Sequence, residues 1–418
     1  MSAAAPPLDT TGTATPTPVA PWPRARAIAG RAPHRPQPAE VCEPAAALGR
    51  ILAEPLAALT DLPAFDTSAM DGWAVAGPGP WRLAGRVLAG RTPPPLADGW
   101  ATGIATGAQL PPGADAVLRR EHGRVEHAER PQERRAGMLH ATVPGAPVPG
   151  QDVRPRAQEC RRGEELLPAG TRVSAPVLGL AAACGYDSLT VRRRPTVELL
   201  VLGDELLESG LPGPGRVRDA LGPLLTPWLA AAGAELLGRR AVRDDFALLR
   251  DAVRHSTAEV VVTTGGTAAG PVDFLHAALT ESGARLLVDG VAVRPGHPML
   301  LAELPPAVPG GPVRHLVGLP GNPLAAVAGT VTLALPLLAA LTGAPVTSGR
   351  FARLGAALAG HPSDTRLLPV RLTADGPVPL AFDGPAMLRG LALAEALAVV
   401  PPGGLAAGER VELLAVPG

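Results

Sequence analysis

The chain has 418 residues, 46% of them hydrophobic and 3% aromatic, with 38 basic and 38 acidic side chains balancing to a formal charge of zero. A neutral balance speaks against a nucleic-acid protein driven by counterion release. The length suits two to four domains. All 38 basic residues are Arg, beside 49 Gly and 50 Pro, which reads as GC-rich codon bias. Cys42, Cys160 and Cys184 lack CxxC spacing. They imply neither a disulfide framework nor a zinc site and fit a reducing, cytoplasmic compartment.

In chain order, residues 1–37 are rich in Pro, Ala and Thr and read as a disordered N-terminal segment with room for one short helix over 25–32. No charged-then-apolar signal-peptide order opens the chain. Residues 38–60 hold a helix-like stretch at 45–54. Residues 61–150 read as short strands between Gly and Pro turns, a small β domain. Residues 151–193 are mixed, with an apolar helical run at 175–183.

Residues 194–345 carry the clearest pattern. Strands are expected at 199–202, from 235, at 260–263 and at 315–317. Helices are expected near 224–232, 246–253 and 274–279. This alternation predicts a doubly wound parallel α/β domain with helices on both faces. Ligands then bind beyond the carboxyl ends of its strands. The apolar run 324–341 is long enough to raise a membrane span. Gly329, two Thr and Pro336 inside it favour a buried core helix and no membrane. Residues 346–418 are again β-rich, with turn signals at Pro362, Ser363, Asp364, Asp375 and Gly376.

Three segments carry candidate chemistry: DTSAMDGWAV from Asp66, VTTGGTAAGPVD from Val262 and VGLPGNP from Val317. The last two each follow a strand and open a helix, where backbone N–H groups and the helix dipole attract an anion. Gly265 and Gly266 mark the first loop. In the second, Pro320 and Gly321 precede Asn322, an N-cap, and Pro323, which fits the first helical position. Each loop alone is equally a well-made turn without ligand. Asp204, Glu205 and Asp273 fall at one sheet edge, which suits Mg²⁺ beside phosphates. Asp244 and Asp245 also suit a helix N-terminus without function. Arg294 and His297, in RPGHP, would bring positive charge to the same edge.

From about Val41 to the end, the order and spacing of these segments resemble the molybdopterin molybdenumtransferases of the MoeA type, related to the E domain of gephyrin. The resemblance implies a homodimer with four domains per chain. These are a discontinuous linker domain (38–60 and 151–193), an inserted β domain (61–150), a molybdopterin-binding α/β domain (194–345) and a C-terminal β domain (346–418). It implies insertion of molybdate into adenylylated molybdopterin with release of AMP, assisted by Mg²⁺, in a cell that also holds a molybdopterin adenylyltransferase as a candidate partner. Carried onto this chain, Asp71, Glu205, Asp244 and Asp273 become the catalytic carboxylates, with Asp71, Glu205 and Asp273 near the metal. Ser68, Gly265, Gly266, Gly270, Arg294, His297, Pro320, Gly321 and Asn322 become the substrate-binding set.

The chain departs from the family pattern at Arg294 and His297, where Lys is common, and at Glu159, Ala268, Ala220, Leu221 and Pro385. The retained carboxylates favour an enzyme. The departures keep open a non-catalytic molybdopterin-binding paralogue. A stand-alone adenylyltransferase would not need the β-rich flanks.

Overall fold

The computed structural model describes residues 19–33, 35–126, 137–267, 274–345 and 349–416. The chain divides into two compact units: residues 1–41, 49–53 and 190–418 form one, and 42–48 and 54–189 the other.

In the first unit, a central sheet is built from β1 (Thr196–Leu202), β2 (Glu235–Val242), β3 (Val260–Thr264), β4 (Arg285–Asp289), β5 (Leu300–Leu304) and β6 (Arg314–Leu319). Among the described residues its order is β2-β1-β3-β6-β5-β4. The helices are α1 (Leu221–Ala231), α2 (Phe246–His255), α3 (Leu275–Glu281) and α4 (Pro323–Gly329). Alternation along the strands feeds two cores. Leu199, Val201, Val260 and Val262 pack with Leu225 and Leu229 of α1 and with α4. Leu200, Leu202 and Val261 pack with Leu249 and Val253 of α2 and with α3. Helices thus cover both faces.

The sheet is parallel only over β2, β1, β3 and β6. Strands β5 and β4 run antiparallel, with Leu300 opposite Gly318 and Leu286 opposite Ala302. The four strands expected from the alternation are the parallel ones; β4 and β5 lie outside that expectation.

Helix α4 continues through a π turn (Thr330–Ala334) into α5 (Leu335–Thr342). This 20-residue stretch is the one described helix long and apolar enough to cross a membrane, and 83% of its most apolar window is buried inside the fold. The π turn binds the helix Trp22–Ala29. Trp22 Nε1 donates to Thr332 Oγ1 at 3.0 Å, and the Arg26 guanidinium donates to the Val331 carbonyl. Residues Ala20–Pro21 pair in parallel with Val291 and Ala292, and the helix Trp22–Ala29 buries Ala25 and Ala29 completely. Residues 19–33 are therefore ordered core. The expectation of disorder across 1–37 is corrected for them, and the short helix expected at 25–32 lies three residues earlier, at Trp22–Ala29.

A second sheet in this unit joins Ala20–Pro21, Val291–Arg294, Thr365–Thr373, Ala396–Val400, Arg410–Ala415 and Arg350–Arg353, with Gly376–Pro379 on Thr365–Thr373. The C-terminal β section is thereby sewn to the α/β section by Val291–Arg294.

The other unit carries a six-stranded sheet over Gly72–Val75, Trp81–Arg86, Trp100–Ile104, Ala116–Arg119, Gly123–Glu126 and Met138–Ala141. It also holds the helix Ala175–Ala183. The helix expected at 45–54 is only Pro44–Ala47; Gly49 at φ +78° ends it, and Leu52 bridges to Val191 as extended chain.

Candidate functional site

The two Gly-rich loops meet at the carboxyl edge of β3 and β6. The Gly265 N–H donates to the Leu319 carbonyl at 2.8 Å, and Gly265 and Gly266 adopt φ +90° and +69°. A Cβ on Gly265 would come within 3.2 Å of the Leu202 carbonyl oxygen, so this position needs glycine. Gly321 differs. A Cβ there would make one ordinary contact, 3.6 Å to the Gly265 Cα, so the fold itself does not demand glycine. Pro320 is buried while Gly321 and Asn322 are exposed. Gly270 and Asp273 lie outside the described residues.

Asn322 occupies the N-cap of α4 with Pro323 next, but its side chain makes no capping bond. The N–H groups of Leu324 and Ala325 instead donate to the Pro385 carbonyl at 2.9 and 3.3 Å. The anion-binding helix start expected from the sequence is thus partly filled by a carbonyl of the C-terminal section, because buried orphan N–H groups must find a partner.

At the ends of β1 and β2, the Asp204 N–H donates to Asp244 Oδ2 at 3.2 Å, and Arg243 Nε donates to Asp204 Oδ1 at 3.2 Å. Glu205 is exposed and folds back over Gly203, where a Cβ would stand 2.6 Å from its Oε2. Among the described residues the Glu205 carboxylate has no hydrogen-bond or ion-pair partner. Asp245 caps α2, accepting the Leu248 N–H at 2.9 Å. Of the two neighbours, Asp245 is structural and Asp244 ties the two strand ends together.

Arg294 Nε donates to Asp364 Oδ2 at 2.8 Å. Asp364 is buried; burial raises its pKa, and the bonds from Arg294 and Ser363 outweigh this and hold the carboxyl below the usual carboxylate range. His297 lies in the turn between Val291–Arg294 and β5, with its Nδ1 buried and unpartnered among the described residues. A Cβ on Gly296 would meet the Ala325 carbonyl at 3.0 Å, so this turn packs against the first turn of α4.

In the other unit, Asp71 Oδ1 accepts the Thr106 N–H at 2.8 Å and its hydroxyl at 3.2 Å, which holds its pKa below the ordinary value. Ser68 is fully buried and its hydroxyl donates to the Met70 carbonyl at 2.5 Å. It thereby shapes the turn that presents Asp71. Arg119 grips Asp152 with two bonds of 2.8 and 2.9 Å beside the same turn. Sequence reasoning missed Thr106, Asp364 and the Pro385 carbonyl. Each partner is remote in sequence and no local pattern announces it.

Among the described residues no three His, Cys, Asp or Glu side chains are grouped to hold a metal. Of the expected ligand set, Glu205 lies in the first unit, Asp71 in the other, and Asp273 outside the described residues.

The MoeA N-terminal region (domains I and II) matches residues 21–185, a probable molybdopterin-binding domain matches 198–340, and the MoeA C-terminal region (domain IV) matches 352–416. A molybdopterin molybdenumtransferase from Nostoc sp. is 32% identical over 73% of this chain and 70% of its own length. The chain belongs to the MoeA-type molybdopterin molybdenumtransferase family. That membership makes it a transferase of molybdenum cofactor biosynthesis. A Bacillus subtilis molybdopterin molybdenumtransferase is 29% identical over 88% of each chain. A crystal structure of the molybdopterin biosynthesis MoeA protein from Pyrococcus horikoshii superposes over 96% of this chain and all of its own, with a TM-score of 0.75 and 28% identity.

Proposed function

We propose that the chain inserts molybdate into adenylylated molybdopterin and releases AMP. The observation that carries this reading is the meeting of the two Gly-rich loops beside an exposed, unpaired Glu205 at one sheet edge. Backbone N–H groups at Gly266, Gly321 and Asn322 suit the phosphates. Arg294 adds a cation beside the first turn of α4. Asp244 orients the chain ahead of Glu205 through the Asp204 N–H. Asp273, from the family pattern, remains a proposed catalytic carboxylate. Asp71, held as an anion by Thr106, remains a proposed carboxylate of the same reaction.

Mg²⁺ fits as a substrate-borne ion. It is commonly held by one or two carboxylates plus phosphates, with no protein cage. Glu205 is the described carboxylate free to meet it, and the ion would neutralise phosphate charge. We further propose a homodimer, the commonest assembly, acting in the cytoplasm on the product of a molybdopterin adenylyltransferase.

The test is metal insertion by the purified chain given adenylylated molybdopterin, Mg²⁺ and molybdate, read as activation of an apo-molybdoenzyme. Turnover lost in Glu205→Gln with an unchanged thermal midpoint supports the assignment. No insertion by the parent chain would leave a binding paralogue. Light scattering that gives a monomer mass would remove the dimer.

A further inference from the structure

Two arginines lie opposite each other where Val291–Arg294 pairs with Thr365–Thr373: Arg294 faces Arg366 in register. Both terminal nitrogens of Arg366 are engaged. Its Nη2 donates to Asp383 at 2.8 Å and its Nη1 to the Ala359 carbonyl at 3.2 Å. Arg294 is engaged through Nε alone, and among the described residues neither Nη group has a partner. Its side chain is 51% exposed, while that of Asp364 is only 11% exposed.

Asp364 is itself tightly held. Ser363 Oγ donates to its Oδ1 at 3.0 Å, and its N–H donates to His361 Nδ1 at 3.1 Å. A buried carboxylate fixed on one side and bonded to Nε on the other orients a guanidinium without consuming its outer fork. A lysine could not divide its charge this way, since one ammonium would serve both partners as a point charge. The need for such a cation follows from α4, where the Leu324 and Ala325 N–H groups are occupied by Pro385. The RPGHP turn packs on that same first turn, through Gly296 and Ala325.

We propose that Asp364 is a positioning residue that presents the free Nη pair of Arg294 to a phosphate-class anion of the substrate. This rests on the functional reading above. It assigns a role to a buried acid in the C-terminal section, reached through Arg294 and without touching substrate.

The test is calorimetry with AMP as probe on the full chain and on Asp364→Asn, Asp364→Glu, Arg294→Ala and the Asp364→Asn/Arg294→Ala double variant, each checked by thermal melting. Asp364→Asn is expected to weaken AMP binding about fivefold, on the scale of a charge-assisted bond. Asp364→Glu should recover part of the loss, and Asp364→Asn should change nothing further once Arg294 is Ala. Equal losses in both backgrounds, or none from Asp364→Asn, overturn the proposal. If Arg294→Ala binds AMP normally while the parent inserts molybdenum, the pair is structural and only this proposal falls. If the parent neither binds AMP nor inserts molybdenum, the functional reading falls and takes the proposal with it.

Discussion

Helices α2 and α4 both open on a short polar residue at the N-cap, Asp245 in one and Asn322 in the other, yet they are closed differently. Asp245 accepts the Leu248 N–H, so the start of α2 is completed by its own neighbouring residue, and Arg254 and His255 in its last turn complement the dipole. Asn322 makes no such bond, and the first turn of α4 is completed by the Pro385 carbonyl. The same capping signature therefore marks a self-contained helix in one place and a joint between distant sections in the other. A cap residue in a sequence states that a helix begins; it does not say which group satisfies the N–H donors.

The hardest blow to the α4 joint should fall far from its own start. Trp22→Ala removes a buried ring and its bond to Thr332 at the π turn, and should cost about 3–5 kcal/mol. Denaturant unfolding checks this; a loss below about 1 kcal/mol would mean that the first helix is not part of the core. Next are the two loop glycines. Gly265→Ala, at φ +90° with the Leu202 carbonyl close by, should lose about 1–2 kcal/mol. Gly321→Ala should leave stability unchanged and lower kcat/KM for metal insertion; a stability loss equal to that of Gly265→Ala would erase the distinction.

The capping residues sharpen the comparison at smaller cost. Asp245→Ala should destabilise by about 1 kcal/mol, whereas Asn322→Ala should cost at most a few tenths of a kcal/mol. Equal thermal shifts in the two variants would show that Asn322 caps α4 in solution. The smallest effect concerns acid. The folded carboxyl of Asp364 has a lowered pKa, so the stability it contributes is present above the ordinary carboxylate value of about 4 and is lost as pH falls through the folded value. The stability gap between the parent and Asp364→Asn should stay level from neutral pH to about 4 and close below it. A gap that already shrinks between pH 7 and 5 would contradict the lowered value.

Much of the α/β section was legible before any coordinates. The strand expected at 199–202 is the second half of β1, α2 begins at Phe246 as expected, and β3 differs by one residue. These elements alternate apolar strand and amphipathic helix with a turn between, and each signal is local. The antiparallel direction of β4 and β5 was not legible, since direction depends on connections and neighbours. The helix expected at 25–32 overlaps Trp22–Ala29, but its place in the core was obscured because its buried positions are largely Ala in a Pro-rich stretch. Among the candidate residues, the glycines and the carboxylates Glu205, Asp244 and Asp71 stood out in the chain. Their partners did not: Thr106 for Asp71, Pro385 for α4 and Asp364 for Arg294.

The sequence by itself determined which residue types stand at the carboxyl ends of β1, β3 and β6, because strand, glycine turn and helix follow one another within a few positions. It also determined the family, through the order and spacing of its short segments. Only the tertiary structure decided which of those groups are open to a ligand. Backbone N–H groups and charges must be satisfied, and in a folded chain the satisfying partner is whichever polar group the packing brings within about 3 Å, wherever it lies in sequence.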